Sequence, residues 1–179
     1  MIINICLIVI IIITIVMISI YNRFVRTNNS INESTSAIDV LLKQRFDLLP
    51  NIIECVKGYA KHEKSTFEEL AKLRSSYNDS NFSVKKAEEM SKKFAPIMAL
   101  SENYPELKAN EQFLSLQNNL INIENRLNNV RILYNNRVTK YNNLVESVPS
   151  NIIAKIFGFE KKDLFKIAEE EKKNIKVSL

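Results

Sequence analysis

The only histidine of the chain, His62, is followed by Glu63, and together they begin the H-E-x-x-H pattern of zinc hydrolases. That pattern needs a second histidine at position 66, where this chain has Thr66. A protein zinc site takes three or four ligands. His62 and the nearby Cys55 do not supply them. The pair fails as a nucleophile and base too. Seven residues apart, they share a helix face but lie about 10 Å apart by helix rise. A thiolate needs its base within hydrogen-bond reach. Cys55, beside Ile52 and Val56, reads as a small apolar filler. His62 reads as a surface or interhelical hydrogen-bonding group. No catalytic residue, cofactor or metal is expected, and the chain is not expected to be an enzyme.

A second group of polar residues suits structure better than catalysis. Arg45 and Asp47 flank Pro50, and Arg45 falls on an apolar seam. It can cap a helix end or form an ion pair there. It can also make a buried polar bond that fixes helix register. Glu102, Asn110, Glu124 and Asn135 are candidates for a further polar layer inside a bundle.

Composition narrows the classes further. Two Gly and four Pro exclude a turn-dense β-sandwich or barrel, a collagen-like chain and a Gly-rich phosphate loop. Two Cys exclude a disulfide framework. The net charge of +5 is spread along the chain. No basic stripe is interleaved with aromatics, so nucleic acid is not an expected partner.

The elements that must position these residues divide sharply. Met1–Ile20 has only Asn4, Thr14 and Ser19 as polar residues and no charged side chain. Twenty residues at about 1.5 Å each span roughly 30 Å, the thickness of a bilayer's hydrocarbon core. A cleaved signal peptide would need a basic start and a shorter apolar run. A soluble core helix would need a polar face. Residues 1–20 therefore read as a transmembrane anchor, with the lipid bilayer as partner. Arg23 and Arg26 follow it closely, and the positive-inside rule then favours a cytoplasmic remainder.

Beyond the anchor, apolar residues recur at alternating steps of three and four. Phe24, Ile31, Ile38, Leu42, Leu49, Ile52, Val56 and Tyr59 lie on one such seam. Phe113, Leu116, Leu120, Ile123, Leu127, Val130 and Tyr134 form another, continued after a stutter by Val138, Tyr141, Val145 and Val148. This is the period of helix bundles and coiled coils. Asn78-Asp79-Ser80-Asn81 is a turn cluster, and Asn103-Tyr104-Pro105 ends a helix. Pro50 lies inside the first seam. The unbroken register argues for a kinked continuous helix, and compactness argues for a turn, so both remain open. The opposite face of the second seam is crowded with Asn, which reads as composition rather than function. Ile152, Ile153, Phe157 and Phe159 make a short apolar patch, with Gly158 as the expected helix terminator. That patch is a candidate contact surface.

Several of these stretches resemble the bacterial LemA family. They are Ile38-Asp39-Val40-Leu41-Leu42-Lys43-Gln44-Arg45-Phe46-Asp47-Leu48-Leu49-Pro50-Asn51, Glu102-Asn103-Tyr104-Pro105-Glu106-Leu107, Glu124-Asn125-Arg126, Tyr134-Asn135, Tyr141-Asn142 and Phe157-Gly158-Phe159. The resemblance covers residues 1–165. It departs at Thr35-Ser36, where the family often carries a Trp-containing stretch. The resemblance implies an all-α chain, with an N-terminal transmembrane helix followed by an up-and-down antiparallel four-helix bundle. It favours a turn near Pro50 and helices near 22–48, 50–78, 83–103 and 108–148. The expected units are an anchor at 1–20, a bundle at 21–158 and a polar, flexible tail at 159–179. It further implies action by protein–protein contacts at the bacterial membrane. Envelope stress, or association with a membrane zinc metalloprotease of the HtpX type, would be the setting. The alternative is self-association into a structure that organises or shapes membrane.

Overall fold

A computed structural model describes residues 1–57, 84, 87, 88 and 109–165. Four helices lie in these residues: α1 (Ile2–Asp47), α2 (Leu49–Lys57), α3 (Glu111–Glu146) and α4 (Ser150–Phe157). No strand occurs among the described residues. The expected helix at 83–103 and the turn at 78–81 fall outside them, apart from residues 84, 87 and 88, which are helical.

Helix α1 has 46 residues, about 69 Å at the α-helical rise. The segment expected to be an anchor and the first expected bundle helix are thus one element. Every side chain from Met1 to Ser19 is exposed, while Phe24, Ile31, Ile38, Leu41 and Leu42 are buried. The sequence changes solvent within one turn and the helix does not stop. In the apolar part, the Thr14 hydroxyl donates to the Ile10 carbonyl at 2.8 Å. This back-bond satisfies the hydroxyl within its own helix.

The reversal favoured near Pro50 does not occur, and this corrects the expectation of a turn. Leu48 keeps helical backbone angles (φ −80°, ψ −20°), and the Ile52 N–H bonds to the Leu48 carbonyl at 3.1 Å. Pro50 is the second residue of α2, where its missing N–H costs little. The chain passes through as a near-continuous helix. The seam register survives, because Leu42, Leu49 and Ile52 are all buried.

Helix α3 runs antiparallel to α1. Phe24 meets Tyr141, Ser34 meets Arg137 and Arg45 meets Glu124, so rising numbers on one helix face falling numbers on the other. Within the described residues both predicted seams fall on the buried faces. Phe113, Leu120, Ile123, Leu127, Tyr134, Val138 and Tyr141 are buried on α3. At its end the seam shifts to Leu144, leaving Val145 half-buried and Val148 exposed. Helix α3 starts with an Asn110 cap, whose side-chain oxygen accepts from the Phe113 N–H at 3.0 Å. Glu111 in the first turn suits the positive end of the helix dipole.

Helix α4 is terminated as its sequence indicates. Gly158 adopts φ +71°, a left-handed conformation that other residues take at a cost, and nothing lies within 4 Å of where a Cβ would sit. The Phe159 N–H then bonds back to the Ala154 carbonyl at 2.9 Å.

Leu127 is fully buried on α3, whereas Ile132 is exposed on the same helix. We expect Leu127→Ala to lower the unfolding free energy by about 3 kcal/mol, through lost transfer energy plus a cavity. Ile132→Ala should change it by less than about 0.5 kcal/mol. Urea denaturation of the detergent-solubilised chain, followed by circular dichroism, measures the difference.

Candidate functional site

Three polar arrangements tie α1 and the 159–165 segment to α3. The innermost is an arginine–glutamate node. An Arg45 Nη lies 2.7 Å from a Glu124 carboxylate oxygen, and Arg131 reaches the other oxygen at 3.6 Å. Arg45 is buried with 7% of its side chain exposed, and Glu124 keeps 31%. Burial pushes the Arg45 guanidinium down to about 10. Glu124 partly opposes that shift and Arg131 adds to it. The arginine remains charged near neutrality but at a cost. A base depressed in the folded state destabilises it wherever the proton must stay on. That cost is relieved only as pH rises from about 10 toward the ordinary arginine value.

The second arrangement lies nearer the apolar segment. Arg137 on α3 donates to the Ser30 carbonyl at 2.5 Å and to the Ser34 hydroxyl oxygen at 2.7 Å, and pairs with Glu33 at 3.1 Å. Ser34 is buried and Arg137 half-buried. Neither residue stood out in the sequence. The available signal was Ser34 beside the seam position Thr35, and Arg137 beside Val138.

The third arrangement is a pair of asparagine clamps. The Asn135 amide donates to the Phe165 carbonyl and accepts from the Phe165 N–H, both at 2.9 Å. The Asn142 amide does the same to Lys162, again at 2.9 Å twice. Seven helical residues advance about 10.5 Å, and three extended residues about 10 Å. The two spacings match, so two asparagines two turns apart hold a strip of extended backbone antiparallel to α3. Between them the Tyr134 hydroxyl donates to the Asp163 carbonyl at 3.1 Å. Desolvation, with Asp163 second, raises the Tyr134 phenol above its ordinary value. Phe165 is buried edge-on against the Tyr134 ring at 5.0 Å, and Arg131 lies over its other side at 5.7 Å. Residues 159–165 are therefore not a free tail. One residue of the Asn-rich face that looked compositional, Asn135, fastens them together with Asn142.

The remaining residues singled out in the sequence divide as follows. Asn110 is a helix cap, and Asp47 is the exposed last residue of α1. Glu102, His62 and Tyr59 lie outside the described residues, and Cys55 is a half-buried free thiol. The apolar patch splits. Ile153 is buried in the core, and Phe159 stacks on Phe24 at 4.6 Å. Ile152 and Phe157 remain outward, and Ile156 joins them. Among the described residues no group of three His, Cys, Asp or Glu side chains could hold a metal ion.

The sequence model of the LemA family matches residues 34–179, most of the chain. The chain belongs to the LemA family. Comparison with curated proteins gives no match. The LemA match takes in Arg45, Glu124, Arg131, Asn135, Asn142 and the clamped 159–165 segment. It begins at Ser34, so the apolar part of α1 is assigned from its own composition. Helix α1 is long and apolar enough to cross a membrane, with its most apolar window wholly exposed.

The geometry of this LemA-family node sets a direction for two substitutions. Glu124→Gln leaves the buried Arg45 charge facing Arg131 and should cost about 3 kcal/mol. Arg45→Met removes the buried charge and fills its space, while Glu124 keeps Arg131 and some solvent, so it should be neutral or stabilising. Urea midpoints of the two variants should move in opposite directions, or the second not at all. The clamps are tested separately. Asn135→Ala with Asn142→Ala removes four hydrogen bonds, so trypsin should cut after Lys161 or Lys162 faster than in the parent, with α3 still folded.

Proposed function

We propose that this LemA-family protein is a single-pass, membrane-anchored helical bundle that acts through protein contacts at the bacterial membrane and performs no chemical step itself. The observation that carries this reading is the continuity of α1. One helix takes in both the lipid-suited segment and the buried seam that packs on α3. A bundle held this way is confined to a bilayer surface, which raises its effective concentration toward other membrane proteins. The polar side chains that the fold gathers also fit a structural task. Arg45, Glu124 and Arg131 engage one another, and Asn135 and Asn142 engage backbone.

In this reading α1 and α3 belong to an antiparallel helical bundle that stands on the cytoplasmic side. Arg23 and Arg26, immediately after the apolar run, support that orientation. A membrane zinc metalloprotease of the HtpX type, or another envelope-stress protein, is the partner that the family resemblance suggests.

A second reading, self-assembly that organises membrane, has one observation in its favour. Leu114, Ile121 and Ile132 are exposed, and spacings of seven and eleven put them on one stripe of α3.

Photo-crosslinking from position 121 in intact membranes separates the two. A single band with a different protein is the expected result. A ladder of multiples of the chain's own mass would establish self-assembly instead. In sealed cells the bundle should resist externally added protease, and its digestion there would reverse the orientation. The combined Cys55→Ala and His62→Ala variant should retain the cross-link and the cellular phenotype. Loss of an activity with the helices intact would make the protein an enzyme.

A further inference from the structure

The outward face of α4 is an exposed apolar surface that the core does not account for. Val148 just before α4, and Ile152, Ile156 and Phe157 within it, leave between 52% and 79% of their surface exposed, while Ile153 and Ala154 on the other side of the same short helix are buried. Position, rather than apolarity alone, identifies what covers it. The Phe157 ring lies 4.8 Å from Tyr21, and Phe159 lies 5.8 Å from Tyr21. Tyr21 directly follows the apolar run. Residues 2–20 at helical rise extend roughly 28 Å, so a bilayer that takes them ends close to Tyr21. Tyrosine at that depth is the usual interfacial residue. The face of α4 is therefore held at the level where hydrocarbon gives way to headgroups, and it is continuous with the exposed apolar surface of α1.

The charges beside it have the complementary sign. A cleft of about 540 Å³ opens next to α4, lined on the α1 side by Ile20, Arg23 and Thr27 and on the α3 side by Lys140, Asn143 and Ser147. Neither Arg23 nor Lys140 is paired with an acidic side chain among the described residues. Ile20 puts the cleft at the end of the apolar run, so its two cations stand at phosphate depth. A short helix with one apolar side and flanking cations is the pattern of interfacial helices that lie along a membrane surface.

We propose that α4 is an interfacial membrane helix, seating Val148, Ile152, Ile156 and Phe157 at the headgroup–acyl boundary, with the phosphate of an anionic lipid against Arg23 and Lys140. This rests on the anchor reading of residues 2–20. It adds a second attachment that fixes how the bundle stands on the bilayer. A single anchor helix leaves the bundle free to swivel and tilt, whereas two attachments meeting at Tyr21 and Phe157 remove much of that freedom.

The chain contains no Trp, so single substitutions report their own depth by fluorescence. Full-length Ile156→Trp, Ile8→Trp and Ile132→Trp variants are reconstituted in vesicles of phosphatidylcholine and phosphatidylglycerol, with and without bromine near the top of the acyl chains. Ile132 is exposed on α3, nine helical residues (about 13.5 Å) before Tyr141, which meets Phe24 just past Tyr21. The expected result is a loss of about half the emission at position 156, quenching at position 8 and none at position 132. Quenching at 8 but not at 156 overturns the interfacial helix and leaves the anchor standing. No quenching at 8 removes the anchor, and the present proposal with it. Quenching at 132 means the whole bundle lies on the bilayer and overturns the specific role of α4. Equal quenching at 156 in purely zwitterionic vesicles overturns the role given to Arg23 and Lys140, as does an Arg23→Gln/Lys140→Gln background that leaves it unchanged.

Discussion

The antiparallel packing of α3 on α1 is the constraint from which the rest of the described structure follows. Helix α1 is a single rod whose first part suits lipid and whose remainder needs a partner for its seam. Phe24, Ile31, Ile38 and Leu42 lose their contact with water only when Tyr141, Val138, Tyr134, Leu127 and neighbouring residues of α3 cover them. Dispersion and the hydrophobic effect supply the bulk of this association but are indifferent to sliding. The polar contacts are not indifferent. Arg137 reaches Ser30 and Ser34 near one end, and Arg45 reaches Glu124 near the other. Shifting α3 by one turn, about 5.4 Å, would break both. The two sites therefore fix the register that the apolar seams leave loose. A buried charge with a depressed pKa is poor value as a stabiliser and good value as a register mark.

Once register is set, α3 becomes a platform on its remaining faces. The Asn135 and Asn142 amides present donor and acceptor at an interval that matches extended backbone, so the segment after Gly158 is drawn along the helix. The turn at Gly158 is what allows this, because α4 must stop abruptly for the chain to double back. Phe159 then enters the aromatic group formed with Tyr21, Phe24 and Phe157, and Phe165 closes over Tyr134. The aromatic group sits where α1 leaves its apolar run. Packing in the bundle and the boundary of the lipid-suited segment are joined there.

Much of this was legible in the sequence. Steps of three and four located both seams, because helix periodicity is imposed by geometry and every buried position on α1 and α3 has to obey it. Arg45 stood out as a charge on an apolar seam, and its pairing with Glu124 realises the buried polar bond read from that position. Gly158 was recognisable as a terminator because few residues accept its backbone angles. Pro50 was ambiguous for a physical reason. Proline near the start of a helix and proline in a kink make the same local demands, and only the course of the chain distinguishes them. Asn135 was singled out as a polar bundle residue and Tyr141-Asn142 as a family stretch, but what the two hold was illegible, because asparagine has no preferred partner in sequence. Its amide matches any extended backbone placed opposite, and the opposite segment is 20 to 30 residues away.

The split of the apolar patch shows why exposure must be judged against the right solvent. In water, Ile152, Ile156 and Phe157 outward with Ile153 and Ala154 inward would be a liability on a helix of only 8 residues. The same arrangement is ordinary for a helix whose two sides meet two apolar media, a protein core and the edge of a bilayer. The 46% apolar content of the chain cannot express that difference, because it averages lipid-suited residues with residues buried in protein. What distinguishes them is location along α1. Residues before Ile20 are exposed, residues after Phe24 have α3, and Tyr21 and Arg23 between them have the surface built by α4 and the cleft beside it. The short helix thus belongs to the boundary and not to the bundle's interior alone. It is the element best placed to make the bundle's attitude depend on the membrane.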